Sequence, residues 1–132
     1  MKVHPLDADK NTDTATILVV DDDALINIGT IDMVEDLGHR ALEAYSAQEA
    51  LEILAGPEKI DILLTDYGMP GMTGVELAAR AREMRPNLHV LLASGYAELP
   101  DGASTDFPRL AKPYQQSELQ ELVSQVLRSG RA

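Results

Sequence analysis

The sequence predicts an α/β protein, a doubly wound parallel sheet with helices on both faces. Three observations carry that expectation. The runs at 16–20, 60–65 and 88–93 are almost continuously apolar, the mark of strands buried on both faces. Helix-period segments with their own start and stop signals alternate with these runs through short connections. Aspartates stand at two strand ends: Asp21, Asp22 and Asp23 follow Thr16-Ile17-Leu18-Val19-Val20, and Asp66 follows Ile60-Asp61-Ile62-Leu63-Leu64-Thr65. In open α/β sheets, ligands sit beyond the carboxyl ends of the strands.

The first strand spans about 16–20 and is followed by a helix of about 24–37. Ile26, Thr30, Met33 and Leu37 fall on one helical face there, and Gly38 stops it. A second strand covers about 40–45. Ser46-Ala47-Gln48-Glu49 reads as a capping box for a helix of about 47–55, which Gly56-Pro57 closes. The third strand is about 60–65. A second capping box, Thr73-Gly74-Val75-Glu76, opens a helix with Leu77, Ala81 and Met84 inward and Pro86 at its end. The fourth strand covers about 88–93. Residues 97–108 then hold Pro100, Asp101-Gly102 and Pro108, so the fourth helix expected here is short or irregular. A fifth strand beginning at Pro108 fits a sheet edge. The last helix, about 115–128, sets Leu119, Leu122, Val123, Val126 and Leu127 on one side.

Composition narrows the function. The 132 residues fit one domain, and 45% hydrophobic content supplies a single core. Residues 1–14 are polar and aperiodic and read as a mobile tail, leaving 15–132 as the domain. Eleven Lys and Arg against 22 Asp and Glu give a formal net charge of −11, which argues against direct nucleic-acid binding. With no cysteine, disulfides and thiolate metal sites are excluded. Neither a membrane span nor the apolar core of a signal peptide is visible, so a cytoplasmic protein is expected.

The carboxylates are the first candidates for chemistry. Two of them about 4 Å apart repel by roughly 4 kcal/mol at an effective dielectric near 20. Such a cluster calls for a cation or raised pKa values. Its hard oxygen donors suit Mg²⁺ or Mn²⁺. A carboxylate also serves as a nucleophile toward phosphorus, where a metal ion, an ammonium and a hydroxyl balance the oxygen charge. Ser94 and Lys112 each follow a later strand and supply the last two.

Four strings carry a resemblance. Ile17-Leu18-Val19-Val20-Asp21-Asp22-Asp23, the segment from Leu64 to Gly74, Leu92-Ala93-Ser94-Gly95-Tyr96 and Ala111-Lys112-Pro113-Tyr114 resemble the receiver domain of two-component response regulators. The resemblance covers about residues 16–128 and implies a flavodoxin-like sheet of order 2-1-3-4-5. It implies Asp66 as phosphoacceptor and Asp22 as a Mg²⁺ ligand, with Asp21 acting directly or through water. It further implies the Gly68 carbonyl as a metal ligand, Ser94 and Lys112 as phosphoryl-binding groups, and a cis bond before Pro113. The implied donor is a phosphohistidine on a histidine kinase or histidine phosphotransfer protein. The implied output is a contact with a downstream protein, or phosphate relay, because the chain ends soon after its last helix. Arg109 stands where the family commonly has an aromatic switch residue, and Tyr96 is an alternative switch. The string around Ser94 is similar to that of stand-alone receivers with a mobile fourth helix.

Taken singly, these residues have plain readings. Asp21–Asp23 would be a helix cap, Asp66 a turn residue, Ser94 a loop hydroxyl and Lys112 a solvated charge. Asp23 is expected to cap or support. Tyr67 is equally a rim-packing residue, and His4, His39 and His89 share no metal spacing. Two rival functions remain. An aspartyl-phosphate hydrolase would carry a second Asp two residues past the nucleophile, where this chain has Gly68. A receiver-fold binding module acting without phosphorylation would not need the acidic pair, Ser94 and Lys112 together.

Overall fold

A computed structural model describes residues 14–95 and 107–131, with side chains through 128. In chain order the elements are β1 (Thr16–Val20), α1 (Ala24–Asp36), β2 (Arg40–Ala44), α2 (Ala47–Leu54), β3 (Ile62–Asp66), α3 (Gly74–Met84), β4 (His89–Ser94), β5 (Arg109–Ala111) and α4 (Gln116–Arg131). Nearly all of the expected tail, Tyr96 and most of the irregular 97–108 segment lie outside the described residues.

All strand pairings are parallel, and the sheet order is β2-β1-β3-β4-β5, as expected. Among the described residues β5 pairs only with β4, so Pro108 precedes an edge strand and costs the sheet little. Side chains alternate between faces along each strand. Leu18, Val20, Leu63 and Val90 therefore pack with Ala50, Leu54, Leu77 and Ala81 of α2 and α3. Ile17, Val19, Ile62, Leu64 and Leu91 pack on the other side with Val34 of α1 and Leu119 and Val123 of α4. Burying each such side chain stabilises the fold by roughly 1.5–3 kcal/mol.

Three local expectations are corrected. β3 begins at Ile62 rather than near residue 60 and includes Asp66. Asp61 explains the late start: its carboxylate accepts from the Thr16 amide at 2.8 Å while its own amide donates to Thr16 O, so a side chain replaces part of the ladder. On α1 the inward residues are Asn27, Thr30 and Val34, whereas Ile26 is 37% exposed. The face is rotated because Asn27 Nδ2 donates to the carbonyls of Asp21 and Ala44 at 3.1 and 2.9 Å. On α3, Met84 is exposed and Gly74 and Ala78 join Leu77 and Ala81 inside. Of the two capping boxes, Thr73–Glu76 is complete. At Ser46 the hydroxyl accepts from the Glu49 amide, but Glu49 reaches back one residue further, to the Tyr45 amide.

Candidate functional site

Register brings the aspartates together. Val20 pairs with Thr65, so the next residues, Asp21 and Asp66, end adjacent parallel strands. Asp21 continues the side of the sheet that carries Ile17 and Val19, and Asp66 the side that carries Ile62 and Leu64. Both are 4% exposed. Asp22, one residue on, faces solvent. Carboxylate oxygens of Asp21, Asp22 and Asp66 all lie within 4.8 Å of one another. Such a set of hard oxygen donors fits a divalent cation of the Mg²⁺ type.

Local bonds fix this geometry. Asp23 caps α1 as expected, accepting from the amides of Leu25 and Ile26 at 3.0 and 3.2 Å. Asp21 Oδ1 accepts from the Asp23 amide at 2.9 Å, which orients its carboxylate. Asn27 holds the Asp21 carbonyl from behind. Beyond Asp66, the Tyr67 amide donates to Ala93 O and the Gly74 amide to Tyr67 O, both at 2.8 Å. The loop they close contains Gly71 at φ +83°, a conformation that glycine adopts at little cost. The start of α3 then lies against the end of β3. A Cβ on Gly74 would come within 2.3 Å of Asp66 O and 2.9 Å of Leu92 Cδ1.

Lys112 reaches the same place from the end of β5. Its Nζ lies 2.7 Å from Asp66 Oδ1 and 3.2 Å from Asp21 Oδ2, with the side chain 18% exposed. Burial by itself would lower the ammonium's pKa. The hydrogen bond to Asp66 and the charges of Asp21 and Asp66 outweigh burial and hold it above the ordinary lysine value. The Lys112–Pro113 bond is cis. Next along the chain, Tyr114 shares a 2.6 Å hydrogen bond with Thr30, tying the β5–α4 connection to α1.

Ser94 ends β4, one residue beyond Ala93, the register partner of Asp66, and is fully buried. Its hydroxyl accepts from Arg109 Nε at 2.5 Å, and the same guanidinium donates to Gly95 O at 3.0 Å. Gly68 is exposed two residues after Asp66. The structure thus brings Asp21, Asp22, Asp66 and Lys112 into one cluster and Ser94 and Arg109 into contact beside it. Tyr96 lies outside the described residues. Asn27, Thr30, Gly74 and Tyr114 support the cluster without being singled out in the sequence as its supports. Their signals were the placement of polar residues on a helix face, a glycine inside a capping box and, for Tyr114, its place in the string Ala111-Lys112-Pro113-Tyr114.

Fold and charge pattern together define a class, an α/β domain whose carboxylate cluster at the carboxyl ends of its strands could hold a divalent cation. Sequence comparison supplies the family: the chain belongs to the response regulator receiver domain family, matching it over residues 17–124. It is 32% identical over 114 residues to the response regulator receiver protein CpdR of Brucella abortus, covering 83% of this chain and 92% of that one. The sensor kinase CckA of the same organism is 35% identical over 122 residues, and the match covers 86% of this chain but 13% of that much longer protein. Among solved structures, the response regulator TrrA of Thermotoga maritima, described in complex with Mg²⁺ and BeF, is similar with a TM-score of 0.74 and 26% identity. That similarity covers 86% of this chain and 99% of the other. The chain is a receiver domain of two-component signalling, and receiver domains are phosphoacceptor modules. Among the described residues no helix is long and apolar enough to cross a membrane.

Proposed function

We propose that Asp66 is the phosphoacceptor and that the donor is a phosphohistidine on a histidine kinase or histidine phosphotransfer protein. One observation carries this reading: a buried carboxylate at a strand end is paired at 2.7 Å with Lys112 and flanked by two further carboxylates. In the transfer, an Asp66 oxygen forms a bond to phosphorus as the P–N bond breaks. The electron pair returns to the departing ring nitrogen, and the imidazole leaves neutral because its other ring nitrogen already carries a proton in the donor. Lys112 pairs with Asp66 beforehand and takes a phosphoryl oxygen afterwards. Ser94 donates its hydroxyl to another oxygen. Asp21, Asp22, Asp66 and the Gly68 carbonyl would hold Mg²⁺ or Mn²⁺. When bound, that cation offsets the negative charge of the carboxylates and of the phosphoryl oxygens.

The product carries more negative charge at the sheet edge than the resting site. That charge shifts a conformational equilibrium and changes contacts with a downstream protein. The setting in this reading is the cytoplasm. Mass spectrometry after incubation with acetyl phosphate and Mg²⁺ tests it. The native chain is expected to gain one phosphoryl group and Asp66→Asn none. An unmodified native chain counts against acceptance from a small donor, and a modified Asp66→Asn chain moves the acceptor elsewhere. Steady turnover of a phosphate ester would instead favour a hydrolase.

A further inference from the structure

Arg109 stands where the receiver family commonly has an aromatic residue, and its guanidinium is engaged. Leu92 pairs with Arg109 and Ser94 with Ala111, so Arg109 and Ser94 lie on the same side of adjacent strands, two residues apart. A long side chain leaning along the strand spans that offset. The result is the 2.5 Å bond from Arg109 Nε to Ser94 Oγ, with a second bond to Gly95 O. A serine hydroxyl has one hydrogen to give and two lone pairs to receive with. Arginine only donates. Ser94 therefore accepts from Arg109 and keeps its own hydrogen for another partner. Its oxygen is completely buried, so that partner is not bulk water.

Resting on the phosphoacceptor reading, we propose that Arg109 is a positioning residue for phosphoryl binding. Its Nε–H fixes the Ser94 oxygen and turns the hydroxyl hydrogen toward the phosphoryl group on Asp66. The guanidinium also polarises the O–H bond, since hydrogen bonds to charged donors are shorter and stronger than neutral ones. The two bonds are compatible, because one uses a lone pair of Ser94 and the other uses its hydrogen. Phosphorylation thereby completes a chain from the phosphoryl oxygen through Ser94 to Arg109 on the edge strand.

A double-mutant cycle tests this with the full chain, acetyl phosphate and Mg²⁺, reading the rate of phosphoryl gain by mass spectrometry. Arg109→Met keeps the apolar stem and removes the donor, and it should slow the native chain about tenfold, the scale of one charge-assisted hydrogen bond. In a Ser94→Ala background the same substitution should change the rate less than twofold. Equal losses in both backgrounds, or a faster Arg109→Met chain, overturn the proposal. Arg109→Lys keeps the charge without the planar fork. Full activity in that variant would replace the oriented hydrogen bond by charge alone and also overturn the proposal. The Arg109 Nε–H resonance in the unphosphorylated chain gives a readout independent of phosphorylation: it should be protected from exchange in the native chain and lose protection in Ser94→Ala. A native chain that takes no phosphoryl group from either acetyl phosphate or a phosphohistidine donor overturns the phosphoacceptor reading and this inference with it. A phosphorylated native chain with additive losses overturns this inference alone.

Discussion

At the ends of β1 and β3, three carboxylates face one ammonium, Lys112. At the ends of β4 and β5, one hydroxyl faces one guanidinium. The two regions adjoin on a single sheet edge, yet they are balanced differently. Among the described residues, Lys112 is the cation paired with both buried carboxylates, and Asp22 adds a third negative charge, so this acidic cluster carries more negative than positive charge. It is therefore poised to respond to a cation. The neighbouring flank has its hydrogen bonds made, and its charge, the Arg109 guanidinium, rests on neutral acceptors. In the proposed reading the difference separates two tasks: one region accepts charge, and the other reports that it has arrived.

Gly74 links the regions, since a Cβ there would meet Asp66 O on one side and the Leu92 side chain on the other. Backbone cannot yield as a flexible side chain can. Gly74→Ala should thus cost about 3 kcal/mol, at the upper end of overpacking effects. Urea denaturation would measure it, and phosphoryl gain should slow in parallel as the end of β3 shifts. A loss confined to stability, with the rate unchanged, would mean that α3 moves away while Asp66 stays in place.

The next effect tests the charge imbalance itself. Lys112→Met leaves Asp21 and Asp66 buried without their cation. Breaking a buried pair typically costs 3–5 kcal/mol. The partial exposure of Lys112 reduces this to about 2 kcal/mol without divalent metal. Added Mg²⁺ should then raise the melting temperature of Lys112→Met more than that of the native chain, because the metal replaces the missing charge. Equal Mg²⁺ shifts in the two proteins would show that the acidic region is already balanced, and the contrast with the flank would fail.

The acidic region was legible in the sequence because its parts are contiguous with strand ends. Asp21 and Asp66 follow apolar runs directly, and parallel register does the rest. The face of α1 was legible only in part: Thr30 is buried as expected, and Met33 and Leu37 pack against the core. Ile26, however, is exposed with Leu25 and Ile28, while Asn27 and Val34 are buried. Hydrophobic periodicity cannot anticipate the burial of Asn27, since its partners are carbonyls 6 and 17 residues away. The late start of β3 had the same cause, because Asp61 meets Thr16 across 45 residues. The close approach at Gly74 also required the packed helix. The aspartates, Ser94 and Lys112 could be read from where they fall in the chain, whereas the groups that hold the acidic region in place depend on contacts made only in the fold.

The Thr30–Tyr114 bond is one such contact, and it braces the acidic region from the α1 side. Tyr114→Phe should cost about 1 kcal/mol, the ordinary net worth of a hydrogen bond. Combined with Thr30→Val, the loss should be less than the sum of the two single losses when measured in urea. Strict additivity would indicate that the two hydroxyls do not depend on each other.

The smallest expected effect lies on the flank. Arg109 is exposed apart from its contact with Ser94 and Gly95, and its removal strands no charge. Ser94 would lose a donor to its oxygen, a lesser matter than a buried carboxylate losing its counter-ion, because an unfilled lone pair on a neutral hydroxyl costs far less than an uncompensated charge. Arg109→Met should therefore change stability by no more than about 0.5 kcal/mol, the range of surface substitutions. The same variant is expected to slow phosphoryl gain about tenfold, so function and stability should part company at Arg109 and move together at Gly74. A stability loss at Arg109 as large as that at Lys112 would mean that the flank, like the acidic region, is held together by its cation, and its role as a reporter would have to be abandoned.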